Sequence, residues 1–187
     1  MSMVLWLLAI QGALGGFDTL YYHEWSARLP ALGRVASTEL KLHAGRDLIY
    51  AIMFGTLPWL AWQGLWAAVL AALLLTEVTL TLADFIVEDR IRKPLGGVYH
   101  GERAMHAIMG IIYGAVLAYL IPILTRWWSE PTALALQEPA VPEALRFALC
   151  AMALGVFLSG LRDLFAATGL PRSSWPWRIS KQSKTGD

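Results

Sequence analysis

Residues 48–76 run for 29 positions without a charged side chain, and that stretch constrains the fold more than any other. A helix crossing a bilayer takes about 20 mostly apolar residues. The stretch is therefore too long for one span and too short for two. Further apolar runs of spanning length occupy residues 4–22, 104–124 and 144–161. A soluble domain carries about 25% charged residues, whereas here 57% of side chains are hydrophobic and 16% charged. Lipid is the expected solvent for most of the surface, and the lipid bilayer the expected first partner. The N-terminal run lacks the basic residues that precede a signal peptide's apolar core, so it reads as a retained span.

Charge placement decides the middle of the chain, because Lys and Arg collect in cytoplasmic loops. A break around Pro58 and Trp62, Gln63 and Gly64 yields five spans. Segments 28–46, 90–103 and 162–184 then share one side and hold 13 of the 15 basic residues. A four-span reading would put the first two basic segments on opposite faces. The chain is thus expected to be an all-α integral membrane protein with five transmembrane helices. Its N-terminus would lie outside and its C-terminus in the cytoplasm, in a bacterial-type inner (plasma) membrane. One transmembrane domain would cover residues 1–170, and a basic cytoplasmic tail residues 171–187. Spans two and three, over 39–60 and 65–87, then draw Glu39, His43, Arg46, Asp47, Glu77 and Asp84 to membrane depth. Ionisable groups there are costly unless they pair or face an internal cavity.

The sequence also repeats itself. Glu24, Arg28 and Pro30 recur as Glu88, Arg92 and Pro94 at the same mutual spacing. Glu39, His43, Ala44, Tyr50 and Ala51 recur as Glu102, His106, Ala107, Tyr113 and Gly114, with seven positions from His to Tyr in both copies. Two tandem helical hairpins, about 1–62 and 64–125, would form a four-helix bundle. As parallel repeats they would be related by a pseudo-two-fold axis along the membrane normal. The extra helix, about 143–167, stands outside that symmetry.

Positions i and i+4 share a helix face. Glu39, His43 and Tyr50 therefore form one polar stripe, with Arg46 and Asp47 inside it; Glu102, His106 and Tyr113 form another. Glu77, Thr81, Asp84 and Glu88 line a third. Such stripes on apolar helices should turn to the bundle interior. The doubled inventory is Glu24, Glu39, His43, Glu88, Glu102 and His106, in the order Glu, Glu–His, Glu, Glu–His. That order resembles the ligand set of ferritin-like di-iron and di-manganese carboxylate bundles. It departs from them in spacing, four residues from Glu to His rather than three. The resemblance implies two iron ions, or manganese, held by those six residues near the cytoplasmic side. It further implies an oxidoreductase acting on a lipid-soluble small molecule or quinone. Tyr50 and Tyr113 would assist as hydrogen-bonding groups. Oxygen and imidazole donors suit these metals, and the lone Cys150 cannot build a thiolate site.

Two other readings stand beside it. His43 and His106 could be axial ligands of a haem b, with Arg28, Arg46, Arg92 and Arg103 near its propionates. Alternatively, the chain is a non-catalytic scaffold or accessory subunit of a membrane complex. Its buried charges would then be internal ion pairs, Arg46 with Asp84 or Arg162 with Asp18 for example. Glu39 and Glu102 also suit a helix's first turn, with Ser37 as a cap, and Glu24–Arg28 and Glu88–Arg92 suit i,i+4 ion pairs. His23 and His100 could each add a ligand, but an interfacial or loop position accounts for them more simply. A net charge of +1 gives no reason to expect nucleic acid. No phosphate-binding glycine loop, nucleophile elbow or Cys-x-x-Cys stands in the chain.

Overall fold

A computed structural model describes residues 1–177. Helix takes up 78% of the described residues, and the strands among them are confined to one two-stranded ribbon. The long elements are α1 (Ser2–Phe17), α3 (Ser37–Thr56), α4 (Leu65–Arg92), α5 (His100–Trp128) and α6 (Glu143–Ala167); a short turn of helix, α2 (Leu29–Leu32), precedes α3. Four of the resulting helical stretches are long and apolar enough to cross a membrane: Ser2–Ser26, Leu65–Arg92, His100–Trp128 and Glu143–Ala167. The fifth expected span, α3, differs from them. Its 20 residues would reach across a bilayer at about 1.5 Å per residue, but Glu39, Lys41, Arg46 and Asp47 make it too polar to count by composition. It is enclosed instead: α6 covers it extensively on one flank and α4 on the other.

The five long helices close into a ring in the order α1, α5, α4, α3, α6. The α1–α5 and α3–α4 interfaces are equally extensive, while α6 fills the gap between α1 and α3. Leu5, Leu8, Met53, Leu57, Leu70, Leu120 and Leu149 build the apolar core of the ring. Leu20, Leu75, Ile111 and Leu154 are exposed on its outside. This inverted surface is what a lipid solvent would select.

α1 does not continue as a regular helix. Residues Asp18–Ser26 form a π-helix, closed by the amide of Ala27 donating to the carbonyl of Tyr22 five residues back. Arg28 then takes a left-handed conformation (φ 51°) and turns the chain into α2. Ser37 makes no side-chain cap on α3.

The apolar end of the ring is tied by β1 (Leu60–Gln63) and β2 (Ala133–Leu136), which pair antiparallel with Leu60 opposite Leu136. The break expected around Pro58 to Gly64 thus holds a strand of this ribbon. Gly64, at φ 57°, can be no other residue without collision: a Cβ would stand 2.6 Å from Thr132 Cα. At the opposite end, residues 171–177 are not part of a free tail. Trp177 Nε1 donates to Glu24 (3.0 Å), and the Arg28 guanidinium lies 4.7 Å above the Trp177 ring. The remaining basic residues of the expected tail, 178–187, lie outside the described residues.

Candidate metal centre

The polar residues meet where α1 and α4 end and α3 and α5 begin. Seven carboxylates are buried there: Asp18, Glu39, Glu77, Asp84, Glu88, Glu102 and Asp163. They divide into three groups. In the first, Arg92 lies at the centre of three carboxylates. It donates to Glu39 Oε1 from Nη2 (2.7 Å) and Nε (3.0 Å), and to Glu102 from Nη1 (2.8 Å to Oε1). Glu88 Oε1 stands 3.4 Å from Nη2.

The second group surrounds His43. Its Nε2 is 3.2 Å from Asp84 Oδ2 and its Nδ1 3.7 Å from Asp163 Oδ2. Arg46 donates to the same Asp84 oxygen at 2.8 Å. Further in, Glu77 Oε1 accepts from Tyr50 (3.1 Å) and Thr81 (2.8 Å), and Gln11 donates to the Tyr50 hydroxyl at 3.3 Å. The Tyr113 ring lies 6.0 Å from that of Tyr50, edge-on, and its hydroxyl has no partner among the described residues.

The third group surrounds His106. Its Nε2 is 3.2 Å from Asp18 Oδ2 and its Nδ1 3.6 Å from Glu88 Oε2. His23 joins it, with Nε2 at 3.3 Å from both Asp18 Oδ2 and Glu102 Oε1. Neither contact has hydrogen-bond geometry, so this nitrogen has no hydrogen-bond partner. His23 also stacks on His43, rings 4.5 Å apart and nearly parallel. One ligand atom each from Asp18, His23 and His106 lies within 4.8 Å of the others, and the same holds for Glu88, Glu102 and His106.

Of the six residues singled out as ligands, five are buried in this region: His43, His106, Glu39, Glu102 and Glu88. Glu24 is engaged elsewhere, by Arg162 at 3.1 Å and by Trp177. The expected Arg46–Asp84 pair is present. Arg162, however, takes Glu24 rather than Asp18, and Arg28 lies over Trp177 rather than beside Glu24. Glu88–Arg92 does form an i,i+4 contact.

His23, expected at the interface rather than as an added ligand, lies among the buried carboxylates, and no sequence feature marks Asp163. Asp18 was considered only as a partner for Arg162. Asp18 and His23 are five residues apart, a spacing that diverges on an α-helix but converges on a π-helix with its i→i+5 bonding. The repeat misled as well, because it set Val87 against His23.

No model of a known protein family matches the chain, and no curated protein or solved structure matches it either.

Proposed function

We propose that the chain is a membrane-embedded metalloprotein that holds one divalent ion between Asp18, His23 and His106, with Glu102 beside them. The carrying observation is His23 Nε2, at 3.3 Å from two carboxylate oxygens and hydrogen-bonded to neither. His106 and Asp18 share a hydrogen bond, but His23 Nε2 bonds neither carboxylate, and the three converging donor atoms surround a point that a cation would fill. At metal–ligand distances of about 2.0–2.2 Å, neighbouring donors stand roughly 3.0–3.5 Å apart, which is the separation found.

Electrostatics supports the same reading. Seven buried carboxylates face the guanidiniums of Arg92 and half-buried Arg46. The rest need protons or a cation, since an unneutralised buried charge is prohibitively expensive. The Arg92 guanidinium, hydrogen-bonded to Glu39 and Glu102 and 3.4 Å from Glu88, occupies the position a second ion would require. This favours one ion over the two that the ferritin-like ligand order implies.

Two imidazoles and a carboxylate with open positions are the set of non-haem iron(II) sites, and they also suit manganese. On this reading the protein is an oxidoreductase acting on a lipid-soluble substrate or quinone, with dioxygen as the oxidant class it requires. Tyr50 and Tyr113 line the space beside Glu77 rather than the ion itself. The expected duplication and five-span topology belong to this proposal too. His43–Asp84 and His106–Asp18 join equivalent helix pairs at the same distance, and α3 is enclosed by spanning helices. The haem alternative gains no support, because each Nε2 of the axial pair is turned to a carboxylate and His23 stacks on His43. The Arg46–Asp84 and Arg92 ion pairs favour the non-catalytic scaffold as the second reading.

Elemental analysis of detergent-purified protein, grown with iron and manganese supplied, tests the proposal. About one iron or manganese per chain is expected, without Soret absorption, and lost in both His23→Ala and His106→Ala. Stoichiometric zinc would sink the oxidoreductase half and leave the centre standing. Protein that is folded and metal-free would leave the scaffold.

A further inference from the structure

A cavity of about 360 Å³ lies between α1, α3 and α6 and reaches α5. Its inner end is polar: Gln11, Asp18, His23 and His43 line it. Its outer walls are Phe54, Met152 and Val156. The volume is at the low end of ligand sites, about 300–1,000 Å³, enough for a ring or head group but not for a whole lipid.

The glycines along it explain why it is open. Gly12 and Gly160 are close-approach positions, where a Cβ would stand 2.9 Å from Met152 Sδ and 3.0 Å from Asp47 Cβ. Gly15, Gly16 and Gly155 are different: a Cβ on any of them would meet nothing within 4 Å. These three serve no helix contact; they leave space. Gly16, Gly155 and Leu20 are also exposed on the apolar outer surface, so the space opens sideways, where acyl chains would lie.

At the inner end, Gln11 Oε1 and Asp18 Oδ1 have no hydrogen-bond partner although their residues are at most 6% exposed, and neither do His43 Nδ1 and the Arg46 Nε–H, to which a hydroxyl oxygen can be the acceptor. The first two can only accept. Buried acceptors left empty cost about 1–3 kcal/mol each, so a fitting occupant brings hydroxyl donors.

We propose that this cavity takes the head of a hydroxyl-bearing, single-chain lipid, an isoprenoid or fatty alcohol or a quinol. The hydroxyl donates to Gln11 Oε1 or Asp18 Oδ1, and the chain leaves to the bilayer past Gly16 and Gly155. A quinone or an ether, having acceptors alone, would leave both oxygens empty. Asp18 carries the proposed ion on its other oxygen, so the head group lies beside that centre. The assignment rests on the metal reading for what the lipid is brought next to, not for what the cavity binds.

The test uses the full chain in lipid nanodiscs and a photoreactive long-chain alcohol, with its methyl ether as control. Adducts are mapped by mass spectrometry. The alcohol should label α1 and α6 about tenfold more than the ether, the worth of a hydrogen bond to a charged group. Gly155→Leu fills open space, so it should fold and retain its metal while losing the label. Competition by a quinol or by an unlabelled isoprenoid alcohol then separates the two sources. Equal labelling by alcohol and ether, an undiminished label in folded Gly155→Leu, or failure of both competitors overturns the proposal. Metal is assayed in the same samples. Specific labelling of metal-free protein would sink the centre alone, and bound metal without specific labelling would sink the cavity assignment alone.

Discussion

His43 and His106 invite comparison. Each begins an inner helix, and each meets an aspartate on a neighbouring helix at 3.2 Å, Asp84 for His43 and Asp18 for His106. The two halves then neutralise that aspartate differently. Asp84 receives the Arg46 guanidinium at 2.8 Å. Asp18 has no guanidinium paired to it among the described residues, and in its place stands a second imidazole, His23. The arginines of the repeated pattern diverge too: Arg92 is buried among three carboxylates, while Arg28 is exposed over Trp177. Because the Arg46 guanidinium already neutralises Asp84, the proposed ion belongs beside Asp18, although buried polar atoms without a partner occur on both sides. Similar geometry thus does not imply the same chemistry.

The largest effect should come from the arginines. Arg92→Met removes the only guanidinium that Glu39, Glu88 and Glu102 meet among the described residues, and breaking even one such buried pair costs about 3–5 kcal/mol. Thermal unfolding in detergent should show a large loss or no folded protein. Arg28→Met removes an exposed contact and should stay within about 0.5 kcal/mol. Equal losses in the two variants would erase the difference between the halves. The histidines come next. His106→Ala should abolish metal binding, whereas His43→Ala, which touches the proposed ligands only through the ring stacked on His23, should weaken it by about 10-fold. Complete loss of metal in both would mean that the halves share the ion.

A smaller effect separates the two glycines of α6. Gly160→Ala would put a methyl 3.0 Å from Asp47 Cβ and 3.3 Å from the Ala44 carbonyl, and backbone cannot move aside cheaply. A loss of about 1–3 kcal/mol is expected. Gly155→Ala, with open space around it, should be neutral or slightly stabilising, since it replaces a poor helix former.

The long apolar helices were legible because hydropathy is a property of whole segments, insensitive to local geometry. Residues such as Glu39, His43, Glu88 and Glu102 were legible as interior because an ideal helix places them on one face. His23 was not, because that inference assumes 3.6 residues per turn and the π-helix breaks it. Relative to Asp84 and Glu88, four residues apart, Asp18 and Glu24 are six apart. The wider turns of the π-helix absorb the two extra residues, keep Asp18 on the inner face and release Glu24 to Arg162. Glu88 was legible as a partner of Arg92, but Glu39 and Glu102 were hidden for another reason. Periodicity says which face is inside, but only packing says which of four carboxylates a guanidinium reaches.

Glu24 and Glu88 offer the finest test of that account, since the repeat makes them equivalent and the structure does not. Glu24 pairs with Arg162 where both side chains keep 20% and 28% of their exposure. Pairs that water reaches contribute about 0.2–1 kcal/mol. Glu24→Gln retains the shape and an acceptor for Trp177 Nε1, so it should cost no more than that and leave the metal content unchanged. Added salt should shrink even this difference, because the pair is open to screening. Were Glu24→Gln instead to empty the metal centre, Glu24 would belong to it as the repeat suggested, and the outward release of Glu24 by the π-helix would be a misreading.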